Sequence, residues 1–482
     1  MIIKEVRKFP HFFLPSLYFG SFRLTRLAFC DKITFRNNKS EDEKMTFTLT
    51  PIEGNNTKNI QWSIDQCFKN GGGKIVLEKG VYTVGGIRLR SNCHLYLKNG
   101  AVLKGTRDPE DYKILKNDAL EPVGEEFFTD AVWVSAKRRL NHDHILKAAS
   151  NWNNAIIRIF QAENVSVIGE EGSVIDGSDC YDPIGEEHYR GPHGISFHYC
   201  RNLKFGGYTI RNTGNWAHLG FTSQNMHFEN IICEGGHDGI HVSVCDDIEV
   251  RDCEFYTGDD CIAGFDNYNV HVDNCVINSA CSGFRFGGAD ILIENCKLFA
   301  PAKYFFRGSL SLEDKIEGNP APKTGRKNML CLYTYYSDFS LKVRRDSENI
   351  VIRNCEVENA DRFLHYDFTG NQIWQKNRPL KSISFEGIKA KGVAMPLNAY
   401  GDSTTPLTLS IKDSEIEFSD GAECAIKGGF FKLIEAKNLK IKNLKGAFVK
   451  VYGEEGKIET ENLEGVEVLT ERATEEFKVK AI

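Results

Sequence analysis

No run of eighteen apolar residues occurs anywhere in the 482-residue chain, so no membrane span is expected. A basic surplus is also missing. Sixty Lys and Arg face 66 Asp and Glu, giving a net charge of −6 and a pI near 6.2, so nucleic acid is not an expected partner. Cys-x-x-Cys pairs are absent, which removes the usual zinc signature, and no metal or cofactor is expected. Cysteine itself is plentiful, at fifteen residues. Cys233, Cys253, Cys275 and Cys296 read as one column of small, reduced thiols packed as hydrophobes. Abundant free thiols point to a reducing compartment, the cytoplasm, with secretion as the alternative.

A repeated phrase is the strongest feature present. Ile248-Glu-Val-Arg-Asp-Cys253 is followed by Val270-His-Val-Asp-Asn-Cys275, Ile291-Leu-Ile-Glu-Asn-Cys296 and Ile350-Val-Ile-Arg-Asn-Cys355. The first three cysteines lie 22 and 21 residues apart, and Cys233 precedes Cys253 by 20. Strand-type alternation at this period, with a turn-prone Asn or Asp before each Cys, predicts a solenoid of stacked β-coils. The fold class is therefore all-β, with residues 45–482 as one domain, because a single coil cannot bury its own apolar face.

Residues 1–44 read as an N-terminal extension or an overlong start. Phe9 to Phe22 is apolar after Lys4, Arg7 and Lys8, as in a signal peptide, but no small-x-small cleavage site follows. Thr57 to Phe68 has helical spacing at Ile60, Ile64 and Cys67, and ends in three glycines, which predicts a capping helix. Asp108 to Asn154 reads as a long insertion, either a cover over the first coils or a cleft wall. Glu313 to Asn328 lacks alternation and reads as a loop.

Setting the coils in register by the apolar residue after each turn aligns Ile195, Leu219, Ile240, Ile262, Phe284 and Phe306. Two positions earlier stand His193, Ala217, Asp238, Asp260, Ser282 and Tyr304. Asp238 and Asp260 then occupy neighbouring rungs about 4.8 Å apart, with Asp259 beside them. Like charges on adjacent strands destabilise a sheet, so the trio points to acid/base chemistry: crowding keeps one carboxyl protonated while its neighbours ionise. A Ca²⁺ site or solvated turn acids would be the bland reading. One position after the apolar residue, Arg285 and Arg307 fall a coil apart. Stacked cations beside carboxylates suit an anionic substrate group. Trp216, His218, His237 and His241 are placed on the same face as substrate contacts, with His193 and Ser282.

At these residues the chain resembles glycoside hydrolase family 28, the polygalacturonases and rhamnogalacturonases of pectin breakdown. The resemblance runs from about Asn59 to beyond Arg307. It includes Gly71-Gly-Gly-Lys-Ile-Val-Leu, Gly80-Val-Tyr, Val174-Ile-Asp-Gly177 and, most specifically, Thr257-Gly-Asp-Asp-Cys-Ile-Ala263. It implies a right-handed parallel β-helix and hydrolysis with inversion. It further implies that Asp259 is the general acid and that Asp238 and Asp260 activate water. The sequence departs from the family where Asn-Thr-Asp becomes Gly236-His-Asp238, where Gly-His-Gly becomes Cys281-Ser-Gly283, and where Arg-Ile-Lys is matched by Arg307-Gly-Ser309. The acids are retained while recognition residues change, so the expected substrate is a uronic-acid- or rhamnose-containing saccharide. A β-helix polysaccharide lyase and a non-catalytic carbohydrate-binding β-helix are the alternatives.

Overall fold

The computed structural model describes residues 33–36, 45–112, 154–184, 190–316, 322–337, 344–368, 374–375 and 378–477. They form a right-handed parallel β-helix in which each full coil contributes three strands. A representative coil runs Ile240–Ser243, Asp246–Arg251 and Glu254–Thr257. The next coil lies directly on it in parallel register, with Ile240 opposite Ile262, Ile248 opposite Val270, and Phe255 opposite Ile277. The alternation seen in the sequence is the consequence. Every second side chain enters the interior, where Phe205, Phe228 and Phe255 are among the largest fully buried groups. Burying a side chain of that size is worth about 1.5–3 kcal/mol.

The corners explain the Asn-rich phrase. Asn230, Asp252, Asn274, Asn295 and Asn354 all have φ between 52° and 56°, the left-handed region that Asn and Asp tolerate best. A second corner stacks amide side chains: Asn225 Nδ2 donates to Asn202 Oδ1 at 2.8 Å, and Asn202 Nδ2 donates to Asn164 Oδ1 at 2.9 Å. Between the first corner and the core stand reduced thiols. Cys253, Cys275, Cys296 and Cys355 each donate Sγ–H to the carbonyl two residues earlier, at 3.1–3.3 Å.

Cys233 does not belong to that column. It lies opposite Ile210 and Phe255, and the place beneath Cys253 is taken by Ile231, whose carbonyl accepts from Glu254 N. Cys233 stands two residues further along, inside the strand Ile232–Gly235, which is why it lies only 20 residues before Cys253. Among the described cysteines all are buried and none is bridged. Burial pushes the Cys200 and Cys245 thiols up to about 12.

The helix Thr57–Lys69 caps the first coil with Ile60, Ile64 and Cys67 buried. It stops at Gly71 and Gly72, at φ +84° and +129°; a Cβ at Gly72 would meet the Asn92 carbonyl at 2.6 Å. Ahead of it, Ile33–Arg36 pairs antiparallel with Met45–Leu49. Most of the expected insertion, 113–153, lies outside the described residues, as does most of the N-terminal extension. Leu312–Ile316, overlapping the start of the stretch expected to be loop, forms a short helix. Coils continue through Lys457–Glu464 and Val468–Arg472. No helix among the described residues is long and apolar enough to cross a membrane.

Candidate active site

The site forms where the third strand of one coil turns into the first strand of the next. Strand register sets the column through the acids as His193, Trp216, Asp238, Asp260, Ser282 and Cys331. Asp238 and Asp260 are direct neighbours: Gly239 N donates to the Asp260 carbonyl at 3.1 Å. Asp259 precedes Asp260, and its Oδ1 accepts from Asp260 N at 3.1 Å. The Asp238 and Asp260 side chains are 4% and 1% exposed, that of Asp259 14%. Asp259 is thus the member of the trio with a path to solvent.

The surroundings of the three acids differ. Burial and then the Asp238 and Asp260 charges hold the Asp259 carboxyl well above the usual range, against the opposing pull of Arg190 and Arg285. Arg190 Nη1 stands 3.9 Å from Asp259 Oδ2. Asp238 is also pushed up, first by burial and then by Asp260. His241 Nδ1 lies 2.7 Å from Asp238 Oδ2, a contact that favours the anion when the ring nitrogen donates. Asp260 accepts from Ser282 N at 2.9 Å and from Arg285 Nη1 at 3.4 Å, so its charge is compensated from the next coil. Arg285 lies over Tyr336 and Trp374, at 4.4 and 5.2 Å from the ring centroids.

One oxygen each of Asp259 and Asp260 and the Cys281 Sγ lie within 4.8 Å of one another and could converge on a cation. Burial and the two acids push the Cys281 thiol well up. A protonated thiol is a poor ligand, and a hard cation such as Ca²⁺ prefers oxygen. The group therefore fits proton chemistry better than metal binding.

Several expected positions are corrected by the register. His218, not Leu219, is the inward residue of its rung, opposite Ile195 and Ile240. It is fully buried between Phe205 and Phe228, meets Tyr208 Oη at 2.9 Å, and titrates near 4 because of that burial. It is a core residue, not a substrate contact. Its apolar neighbour Leu219 faces outward beneath Trp216, and this inversion of polarity misled the alignment. Ala217 consequently gives way to Trp216 in the acid column. Ser282 is also sealed, bonding Thr334 Oγ1 at 3.0 Å; it holds Asp260 through its backbone.

Arg307 is not stacked on Arg285. The residue above Arg285 is Thr334, because the chain leaves the solenoid after Phe299 and returns at Met329. Arg307 instead sits in a turn, Arg307–Ser309, within that excursion. Its side chain lies against Gly236, over the Tyr181 ring at 4.4 Å, and pairs with Asp179. Arg307 and then Arg190 oppose protonation of His237, whose burial already lowers it well below the ordinary imidazole value. His237 rests 5.2 Å from the Tyr181 ring. Trp216 is stacked on His241 at 3.8 Å and 6°, and the His193 ring lies 5.5 Å from it, tilted by 45°. With one face covered by His241, Trp216 is not an open sugar platform.

Arg190, Tyr181, Tyr336 and Trp374 were not legible as site residues. Arg190 stands just before the rung that begins at Pro192, outside the repeat, and Tyr336 and Trp374 arrive where the chain leaves or rejoins it.

A sequence profile for Glycosyl hydrolases family 28 matches residues 132–284. A probable polygalacturonase of Vitis vinifera is 23% identical over 230 residues, 45% of this chain and 42% of that protein. The match thus spans less than half of the grape protein. A hyperthermoactive exopolygalacturonase from Thermotoga maritima is similar in structure, with a TM-score of 0.58 at 17% identity over 85% of this chain and 94% of that one. A family 28 exopolygalacturonase of Yersinia enterocolitica has a TM-score of 0.53 at 14% identity, over 85% and 76%. Both have the β-helix described above.

Proposed function

We propose, from the match of residues 132–284 to glycosyl hydrolases family 28, that this chain is an inverting glycoside hydrolase of pectin-derived or other uronic-acid- or rhamnose-containing saccharides. The observation that carries this is the unequal burial of three clustered aspartates. Asp259, the most exposed of the three side chains and with its carboxyl pushed well above the usual range by burial and then by the Asp238 and Asp260 charges, donates its proton to the departing glycosidic oxygen. Asp238 and Asp260, one coil apart, take a proton from water as its oxygen bonds to the anomeric carbon. Asp259 leaves the step ionised, and the proton lodged on the Asp238–Asp260 side restores it through solvent. General acid and general base assistance are each worth about 10²–10⁴ in rate.

Arg285 and Arg190 flank the acids from two segments, and Arg307 lies against Gly236, two residues before Asp238. They support an anionic sugar, whose carboxylate would take charge-assisted contacts. Unbridged thiols support a reducing compartment, and we place the protein in the cytoplasm on that ground.

The test is a panel of galacturonan and rhamnogalacturonan oligosaccharides, followed by product chromatography. New reducing ends that persist with EDTA are expected, and are lost with Asp238→Asn or Asp260→Asn. An unsaturated product absorbing near 235 nm and abolished by chelator would establish the lyase alternative. Full turnover in both variants would overturn the reading.

A further inference from the structure

We infer that His241 is a positioning residue for the water-activating side of the site: it holds the Asp238 carboxylate in place and in its basic form, and Trp216 holds His241. The inference rests on the assignment of Asp238 above and extends it to residues outside the acid trio.

His241 follows Asp238 by three residues, on the outward face of the strand Ile240–Ser243. It is 6% exposed, and its Nδ1 lies 2.7 Å from Asp238 Oδ2. Its plane is fixed from two directions. The Trp216 indole lies face to face with it, 3.8 Å away and tilted by 6°. The Tyr336 ring meets it edge-on at 6.1 Å and 84°. In the same outward column the next coil carries Ala263, and Arg285 follows it. Arg285 turns to Asp260.

Chemistry explains why such a clamp is needed. A buried carboxylate beside two others tends to take up a proton, and a protonated Asp238 cannot accept one from water. The groups bearing on Asp238 are the Asp260 and Asp259 carboxyls from the next coil, Arg190 from the segment before Pro192, Arg285 beyond Asp260, and the Asp260 backbone, whose hydrogen bond favours the anion. The arginines act at longer range, since Arg285 bonds Asp260 and Arg190 faces Asp259. His237, next in sequence, faces Tyr181 and Arg307, and His193 lies beyond Trp216. His241 adds to these a direct side-chain contact, 2.7 Å from Asp238 Oδ2, that fixes the carboxylate and favours its anion when Nδ1 donates. A neutral imidazole donating from Nδ1 does this without adding net charge.

The test compares kcat, KM and pH profiles of His241→Ala, His241→Asn and Trp216→Leu on an oligogalacturonide or rhamnogalacturonan oligosaccharide that the wild type cleaves. Removing a hydrogen bond to a charged group should lower kcat about 10–100-fold, with KM little changed. The acidic limb of the kcat profile should move to higher pH, since Asp238 then protonates more readily. Asn retains an N–H near the position of Nδ1 and should recover most of kcat and return the limb toward its original position. Trp216→Leu should shift the limb in the same direction as His241→Ala, which covers the case in which the alanine variant does not fold. An unmoved acidic limb, a KM effect without a kcat effect, or no rescue by Asn would overturn the inference. Asp238→Asn separates the two levels. If it abolishes turnover while the His241 variants leave the limb unmoved, the inference fails and the proposed function stands; if it retains turnover, the proposed function itself fails.

Discussion

Replacing Asp259 by Asn should make the protein slower and more stable, and the gain in stability should depend on pH. Asp259 shares its patch with Asp238 and Asp260, and their charges together with burial hold its carboxyl well above the ordinary value. A group whose folded value is raised binds its proton more tightly in the folded state. Below the unfolded value, about 3.9, both states are protonated and the site costs nothing. As pH rises from there through the raised folded value, the unfolded chain ionises first and stability is lost. Asn cannot ionise, so the loss disappears. Each pKa unit corresponds to about 1.4 kcal/mol. Against this stands a weak contact to Arg190 at 3.9 Å, worth about 0–1 kcal/mol. The bond from Asp260 N to Oδ1 survives in Asn. A net gain in stability is therefore expected at pH 7.5, shrinking toward zero at pH 4. Urea unfolding at the two pH values reads it directly. Turnover should fall about 10²–10⁴-fold, less on substrates whose leaving group needs no proton. A variant less stable than wild type at pH 7.5, or equally stabilised at both pH values, would refute the crowding argument.

Arg285→Ala and Arg307→Ala should each weaken acidic oligosaccharides by about 1.5–3 kcal/mol relative to neutral analogues, read as the ratio of kcat/KM; equal loss on both substrate types would remove these residues from carboxylate binding. Arg285→Ala should also lower stability by more than Arg307→Ala, because it strips a partner from Asp260, 1% exposed, whereas the Arg307 partner Asp179 is 47% exposed; comparable unfolding midpoints would contradict this. The described cysteines, buried and pushed up in cases such as Cys200 and Cys245, should resist a thiol reagent in the native protein and react on unfolding; rapid native labelling of Cys253 or Cys275 would show that the corner column is open.

Much of this architecture was legible because a solenoid converts sequence spacing into spatial stacking. Coils of near-equal length, as from Ile240 to Ile262 to Phe284, put Asp238 on Asp260 without further information. Legibility failed where one rung broke a local rule. At Trp216-Ala-His-Leu219 the inward residue is the polar one, satisfied by Tyr208 and by the Gly239 carbonyl, and the outward residue is apolar, covered by Trp216. Reading polarity as orientation then shifts that rung by one residue. The same shift hid the stack of Trp216 on His241. Arg307 was misplaced because an excursion from the solenoid mimicked the next rung with Tyr304-Phe-Phe306, whereas the true successor, Tyr333, comes far later. Residues delivered by such excursions, Tyr336 and Trp374 among them, carry no periodic signal.

The central claim is that Asp259 protonates the leaving group while Asp238 and Asp260 deliver water to the anomeric carbon. Proton NMR of the first-formed product, recorded before mutarotation, tests it most directly. The account predicts that the anomeric configuration is inverted relative to the substrate, since water and leaving group occupy opposite faces of the sugar. A product with retained configuration would require a covalent glycosyl intermediate on one of these aspartates and would contradict the assignment.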